Sequence, residues 1–268
     1  MARNSTRKKK ARPRKVLHPS YPNPTIREAV CEIHFQHSEK KPWLPSLPGD
    51  LFKRLQDDFP HMEPLMNLGI QFEVGPQGLG QRVMPPSPRA RFIHTSGTWM
   101  VHLAQGQLTI NQMKPYPGWE SFRSQVVRTW SEAAGVIKPG RILRIGLRYI
   151  NQIPLGGPAE TMGGWLRETG LIPRGLLDSG PDPFSRVQVV PEPGHRQIVM
   201  VGTQGTGEPG ADRHLFLDVD VIIENSLPPT SKSVESRIEK LHDEIWKVFS
   251  EAKGEKLEAY LNREGGPE

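Results

Sequence analysis

Four charged residues stand at matched spacing: Glu28 and Glu32 in one stretch, Arg144 and Arg148 in another. Each pair is four apart, so on an extended strand both members share a face. If the two strands are neighbours, two cross-strand ion pairs can form. Such a ladder can serve structure alone, by fixing strand register. It can also form a polar sheet face that receives a ligand or partner. Asp218, Asp220 and Glu224 share one face of a later strand. Together with Glu28 and Glu32 they offer the oxygen ligands Mg²⁺ prefers, as metal-assisted nucleic-acid hydrolysis would need. Solvated carboxylates are the commoner outcome on strands.

Other chemical signatures are missing. There is no phosphate-binding loop, serine elbow, paired-histidine zinc motif or dinucleotide fingerprint. Gly202 to Gly207 is glycine-rich after a strand, but no helix opens behind it, so it reads as a hairpin loop. The nine histidines are scattered, among them His34, His37, His94, His102 and His242, without metal-ligand spacing. Trp119, Trp130 and Trp246 recur at helical spacing with other apolar residues and read as core. We therefore expect no catalytic residue, no metal ligand and no cofactor from the sequence.

Charge is concentrated at one end. The first twenty residues hold Arg3, Arg7, Lys8, Lys9, Lys10, Arg12, Arg14 and Lys15 and no acid. Without those eight of the 35 basic residues, 27 face 29 acidic ones, so the body carries a net of −2. The sequence pI of about 9.5 thus describes a near-neutral body with a basic tail. Residues 1–20 are too polar to bury a core and are expected to be disordered. Arg7, Lys8, Lys9, Lys10, Arg12, Arg14 and Lys15 are the candidate nucleic-acid contacts, through phosphate neutralisation without base reading. A solubilising extension and a contact for an acidic partner are the alternatives. The lone Cys31 excludes an internal disulfide. No run approaches the length of a membrane span and no apolar stretch follows the charged start, so a cytoplasmic setting away from membranes is expected.

The elements that must position these residues follow from periodicity. Arg27 to Gln36 alternates, with Ala29, Cys31, Ile33 and Phe35 on one face and Glu28, Glu32 and His34 on the other. A helix is expected over Gly49 to Phe59, capped by Asp50. Strands follow at Gly69 to Val74, Arg91 to Thr95 and Trp99 to Asn111, the last broken near Gly106, with a long loop over Gly75 to Pro88. A helix runs from Trp119 to Ala134 between Pro117 and Gly135. The order then repeats: a strand at Arg141 to Ile153, a weak helix at Met162 to Thr169, and strands at Arg186 to Val190, Gln197 to Gly202 and His214 to Glu224. A helix over Lys232 to Ala252 closes the series. The expected class is α+β: an antiparallel sheet from two tandem β-α-β-β-β-α units, with helices packed on one face. The units span about 26–135 and 141–253, giving segments 1–20, 21–139 and 140–268.

Three stretches are distinctive as a set: Asn23-Pro24 with Glu28-Ala29-Val30-x-Glu32-Ile33-x-Phe35; Asn111 with Pro115-Tyr116-Pro117-Gly118-Trp119-Glu120-x-Phe122; and Leu147-Arg148-Tyr149-Ile150-Asn151. With them the chain after the tail resembles a sporadically distributed bacterial and archaeal family of conserved hypothetical proteins. That resemblance implies no activity. The family's patchy distribution points to mobile accessory modules such as antiviral defence or toxin–antitoxin loci.

The leading functional reading is therefore a non-enzymatic, partner-binding accessory protein of a bacterial locus, antitoxin-like or defence-associated. Its partner would be a protein encoded nearby, with non-specific nucleic acid as a further candidate through the tail. A metal-dependent enzyme acting on nucleic acid through strand carboxylates is the second class. A small-ligand sensor is the third, and it requires a closed cavity beneath the helices.

Overall fold

A computed structural model describes residues 18–67, 70–75, 78–83, 87–155, 160–179, 183–204 and 213–264. The basic positions Arg3 to Lys15 lie outside the described residues, as does most of the glycine-rich loop after Gly202. At the centre lie two long antiparallel strands, β1 (Ile26–His37) and β8 (Pro139–Leu155). Their alternation is why they pair. Ala29, Cys31 and Ile33 sit opposite Tyr149, Leu147 and Ile145, and all six are buried on one face.

Outward from β1 come β7 (Gln107–Met113), β6 (Trp99–Ala104), β5 (Ser87–Ile93) and β2 (His61–Asn67). Outward from β8 come β11 (Arg213–Leu227), β10 (His195–Gln204) and β9 (Phe184–Glu192). All neighbours in this nine-stranded sheet are antiparallel. β3 (Ile70–Gly75) and β4 (Gly78–Val83) form a separate hairpin. The fold is α+β.

Helices cover the apolar face. α1 (Leu47–Leu55), α2 (Trp119–Ile137) and α4 (Ser231–Ala252) bury their stripes there, while α3 (Arg174–Leu177) and α5 (Glu255–Leu261) are short. Phe122, Val126, Trp130 and Ala133 of α2 join Val234, Ile238 and Leu241 of α4 in one core. The two long helices touch: Arg123 on α2 pairs with Glu235 and Glu239 on α4. They therefore lie on the same side of the sheet, as the expected layout requires. No helix among the described residues is long and apolar enough to cross a membrane.

Several expectations are corrected. His61–Asn67 is an unforeseen strand; its Pro64 is tolerated because β2 pairs on one side only. The loop expected over Gly75 to Pro88 contains β4 and the start of β5, because backbone pairing with β3 outweighs the poor strand propensity of Gly78 and Gly80. Met162 to Thr169 is not helical. Gly164 sits at φ 83, and the segment is tied by backbone bonds from Arg167 N to Ala252 O (2.7 Å) and from Gly254 N to Trp165 O (2.9 Å). Asp50 does not cap α1: the N-cap is Ser46, without a side-chain hydrogen bond. α2 runs past Gly135 to Ile137, whose burial offsets the roughly 1 kcal/mol cost of an internal glycine.

Candidate functional site

The three distinctive stretches, far apart in sequence, converge on one cavity of about 450 Å³ between α4, the start of α2 and the sheet. The first stretch supplies Pro24, with Thr25 beside it, the second Tyr116 to Glu120, and the third Tyr149 and Asn151. α4 closes the opposite wall with His242, Ile245, Trp246 and Phe249, and His18 to Tyr21 form a strap along the rim.

Local backbone chemistry explains the placement. Gly118 caps α2 at φ 91 and ψ 161, a region open to glycine alone at little cost, which turns the chain sharply between Tyr116 and Trp119. The strap is fastened by side chains that reach polar backbone. Asn23 ties it at two points: its backbone N–H donates to Leu261 O (3.1 Å) and its side-chain Nδ2 to Tyr260 O (3.2 Å). Thr25 Oγ1 donates to Asn151 Oδ1 (2.9 Å), and Asn151 Nδ2 donates to Leu217 O (3.2 Å). Lys253 Nζ donates to the Tyr21 hydroxyl at 2.6 Å.

The walls are aromatic. His242 stacks on Trp119 with ring centres 3.9 Å apart and planes 7° from parallel. Trp246 carries His18 at 4.9 Å and Tyr21 at 6.0 Å. The Tyr116 and Tyr149 hydroxyls meet at 2.8 Å, so one donates to the other and the acceptor keeps its own proton to offer. Burial raises both phenol pKa values, which keeps the pair neutral. Burial also pushes His242 down to about 3, helped by His18, so its imidazole is uncharged at neutral pH. The cavity is thus largely apolar, with an uncharged tyrosine pair and His242 in its wall and the Glu120 carboxylate, paired with Arg123, among its lining residues.

The opposite face of the sheet carries the charged residues singled out by spacing. Arg144 reaches Glu32 at 3.1 Å. Glu32 also accepts from His34 Nε2 (2.7 Å) and Gln107 Nε2 (2.7 Å). Burial pushes its pKa up, but the His34 hydrogen bond and the charges of His34 and Arg144 outweigh that and hold it down. The second expected pair does not form. Glu28 accepts from Asn111 Nδ2 at 2.6 Å, while Arg148 turns to Asp218 on the other neighbouring strand, donating at 2.8 and 2.5 Å. Register is the reason: Ile150 and Gly146 stand opposite Glu28 and Glu32, so each arginine lies on a diagonal and can turn to either side. Asp220, next along β11, is pushed up to about 6, chiefly by burial and against the pull of Arg148 and Arg144.

Among the described residues, these strand carboxylates do not gather into a group of three or more ligand atoms within metal-binding reach. The group that does is His18, His242 and Asp243, joined across the length of the chain. Spacing could not reveal it. The Cys31 thiol is fully buried with its pKa raised by burial, so it is core rather than nucleophile.

No family model and no curated protein matches the sequence. Among solved structures, the chain aligns at 9% identity with the S. pombe Pct1 RNA triphosphatase in complex with the Spt5 CTD, over 91% of this chain and 88% of that one. The TM-score of that alignment is 0.14, too low to support an argument about fold or function.

Proposed function

We propose that this chain is a small-molecule-binding protein whose ligand, small, flat and largely apolar, sits in the cavity beneath α4. The observation that carries this reading is the convergence of all three distinctive stretches on that cavity. About 450 Å³ lies within the size range of small-molecule sites. Aromatic faces on Trp119, Trp246 and Tyr21 suit a planar group, and the Tyr116–Tyr149 hydroxyl pair offers one oriented polar contact.

The accessory role inferred from the family resemblance fits a sensor of this kind, acting on a partner encoded nearby. The basic tail is kept as a separate, non-specific nucleic-acid contact. We also read the chain as two tandem units meeting at the β1–β8 seam. Strand order supports this: outward from the seam, β7, β6 and β5 on one side match β11, β10 and β9 on the other. The cavity takes residues from both halves, as ligand sites at domain interfaces do.

Screening flat aromatic and heteroaromatic compounds by tryptophan fluorescence and thermal shift tests the reading. Compounds that bind should raise the melting temperature and lose at least about tenfold in affinity in Trp246→Ala and in Tyr116→Phe. Binding unaffected by both substitutions, or no compound that binds, would reject it.

A further inference from the structure

At the mouth of this cavity the strap meets α4 through three side chains with metal-ligand chemistry. His18 Nε2 lies 2.7 Å from Asp243 Oδ1, and one ligand atom each from His18, His242 and Asp243 falls within 4.8 Å of the others. We propose that these three residues bind a divalent transition metal of the zinc type. Two imidazole nitrogens and one carboxylate oxygen are a donor set suited to zinc or cobalt, and too rich in nitrogen for magnesium or calcium.

Two observations support a built site rather than a chance cluster. Both rings are held in orientation by stacking, His242 against Trp119 and His18 against Trp246. His242 is only 8% exposed and lines the cavity, so its ring is packed in place beside His18. Finally, His18 is placed by the strap anchors at Tyr21 and Asn23, which bring it back over α4 from the other end of the chain.

Ligand bonds of roughly 2.0–2.2 Å place any two donors no more than about 4.4 Å apart. The three atoms therefore need only a small contraction, and the metal would replace the His18–Asp243 hydrogen bond. Three protein ligands leave a fourth position open. Since His18 and His242 both line the cavity, a donor atom of a molecule bound there could complete the coordination. The site stands on its own geometry: metal could bind with no organic ligand present, and an organic ligand could bind without metal.

The test uses the full chain, stripped by a chelator and titrated calorimetrically with Zn²⁺, then with Co²⁺ while visible ligand-field bands are recorded. One metal per chain is expected. His18→Gln and Asp243→Asn should each weaken binding at least about tenfold and alter the cobalt spectrum, whereas His61→Gln should change neither. Asp243 is 53% exposed, so its substitution leaves the core intact and its result can be read directly. Failure to bind one metal per chain, or affinity and cobalt spectrum unchanged in both His18→Gln and Asp243→Asn, would overturn the proposal. Either result would leave the compound screen on the cavity unaffected.

Discussion

Arg148 holds Asp218 through two parallel hydrogen bonds across the β8–β11 pair, at 2.8 and 2.5 Å. Asp218 is 6% exposed, so its carboxylate is largely out of water and that guanidinium is its charged partner. Removing the arginine leaves a buried carboxylate unpaired, which is more costly than removing both groups. Arg148→Ala should therefore destabilise by about 2–3 kcal/mol, the low end for a buried pair because the arginine is partly exposed. Arg148→Ala with Asp218→Asn should recover part of that loss. Urea denaturation of the parent, Arg148→Ala, Asp218→Asn and the double variant measures the coupling.

The neighbouring Asp220 carries a pH signature of opposite sign. Its folded pKa is raised to about 6 by burial, above the unfolded value, so the ionised form costs stability at neutral pH. That cost is relieved as pH falls from about 6 towards 4. His242 and His102, lowered to about 3 and about 4 mainly by burial, act the other way. Their neutral forms favour folding above the unfolded histidine pKa, and stability is lost as pH drops below it. The parent profile sums these effects. The difference between Asp220→Asn and parent isolates the carboxyl: the variant should be more stable at pH 7, by about 3 kcal/mol at most, with no gain near pH 4. A constant difference across that range would contradict the assignment.

How much of this was legible in the sequence divides by the range of the interaction. Alternation at Ala29, Cys31, Ile33 and Phe35 and the stripes of α2 and α4 are local periodic signals, and they placed the sheet faces and the long helices. β2 and β4 carry Pro64 or glycines and are strands because a neighbour pairs with them, which propensity cannot report. The charge face was found by spacing, yet the choice of Arg148 for Asp218 over Glu28 is made by register. A cavity beneath the helices was named only as what a sensor would need, and its lining residues were not foreseen. Trp119 and Trp246 read as core because helical spacing is the same for a packed face and a cavity wall. His18, His242 and Asp243 meet only because the strap folds back over α4.

Gly118 offers a test of the cavity wall through the backbone. At φ 91 it occupies a region that L side chains rarely adopt, and a Cβ there would meet nothing within 4 Å. The cost of Gly118→Ala is therefore conformational rather than steric, about 1–2 kcal/mol. Because the residue sets the turn between Tyr116 and Trp119, relaxation of that strain should also displace the Trp119 ring from His242. A lower melting temperature together with altered tryptophan emission is expected. A variant that keeps both the parent stability and the parent emission would show that the turn does not depend on glycine.

The basic tail provides the last prediction. Eight positive charges without a counter-charge lie within residues 1–20, while the rest of the chain carries a net of −2. The anchors that tie the strap to the body begin at His18 and continue through Tyr21 and Asn23. Deleting residues 2–16 removes every one of the eight charges and none of those anchors. The truncated chain should therefore keep the parent melting temperature, because the hydrogen bonds and stacking of the strap are retained. It should lose salt-sensitive binding to generic DNA or RNA, since the phosphate-neutralising groups that release counterions are gone. Fluorescence anisotropy with a labelled duplex, repeated at several salt concentrations, reads the slope directly. A steep slope in the truncated chain would mean that arginines patterned on the body, such as Arg89, Arg91 or Arg196, bind phosphate despite the near-neutral total. The tail would then not be the source of the affinity.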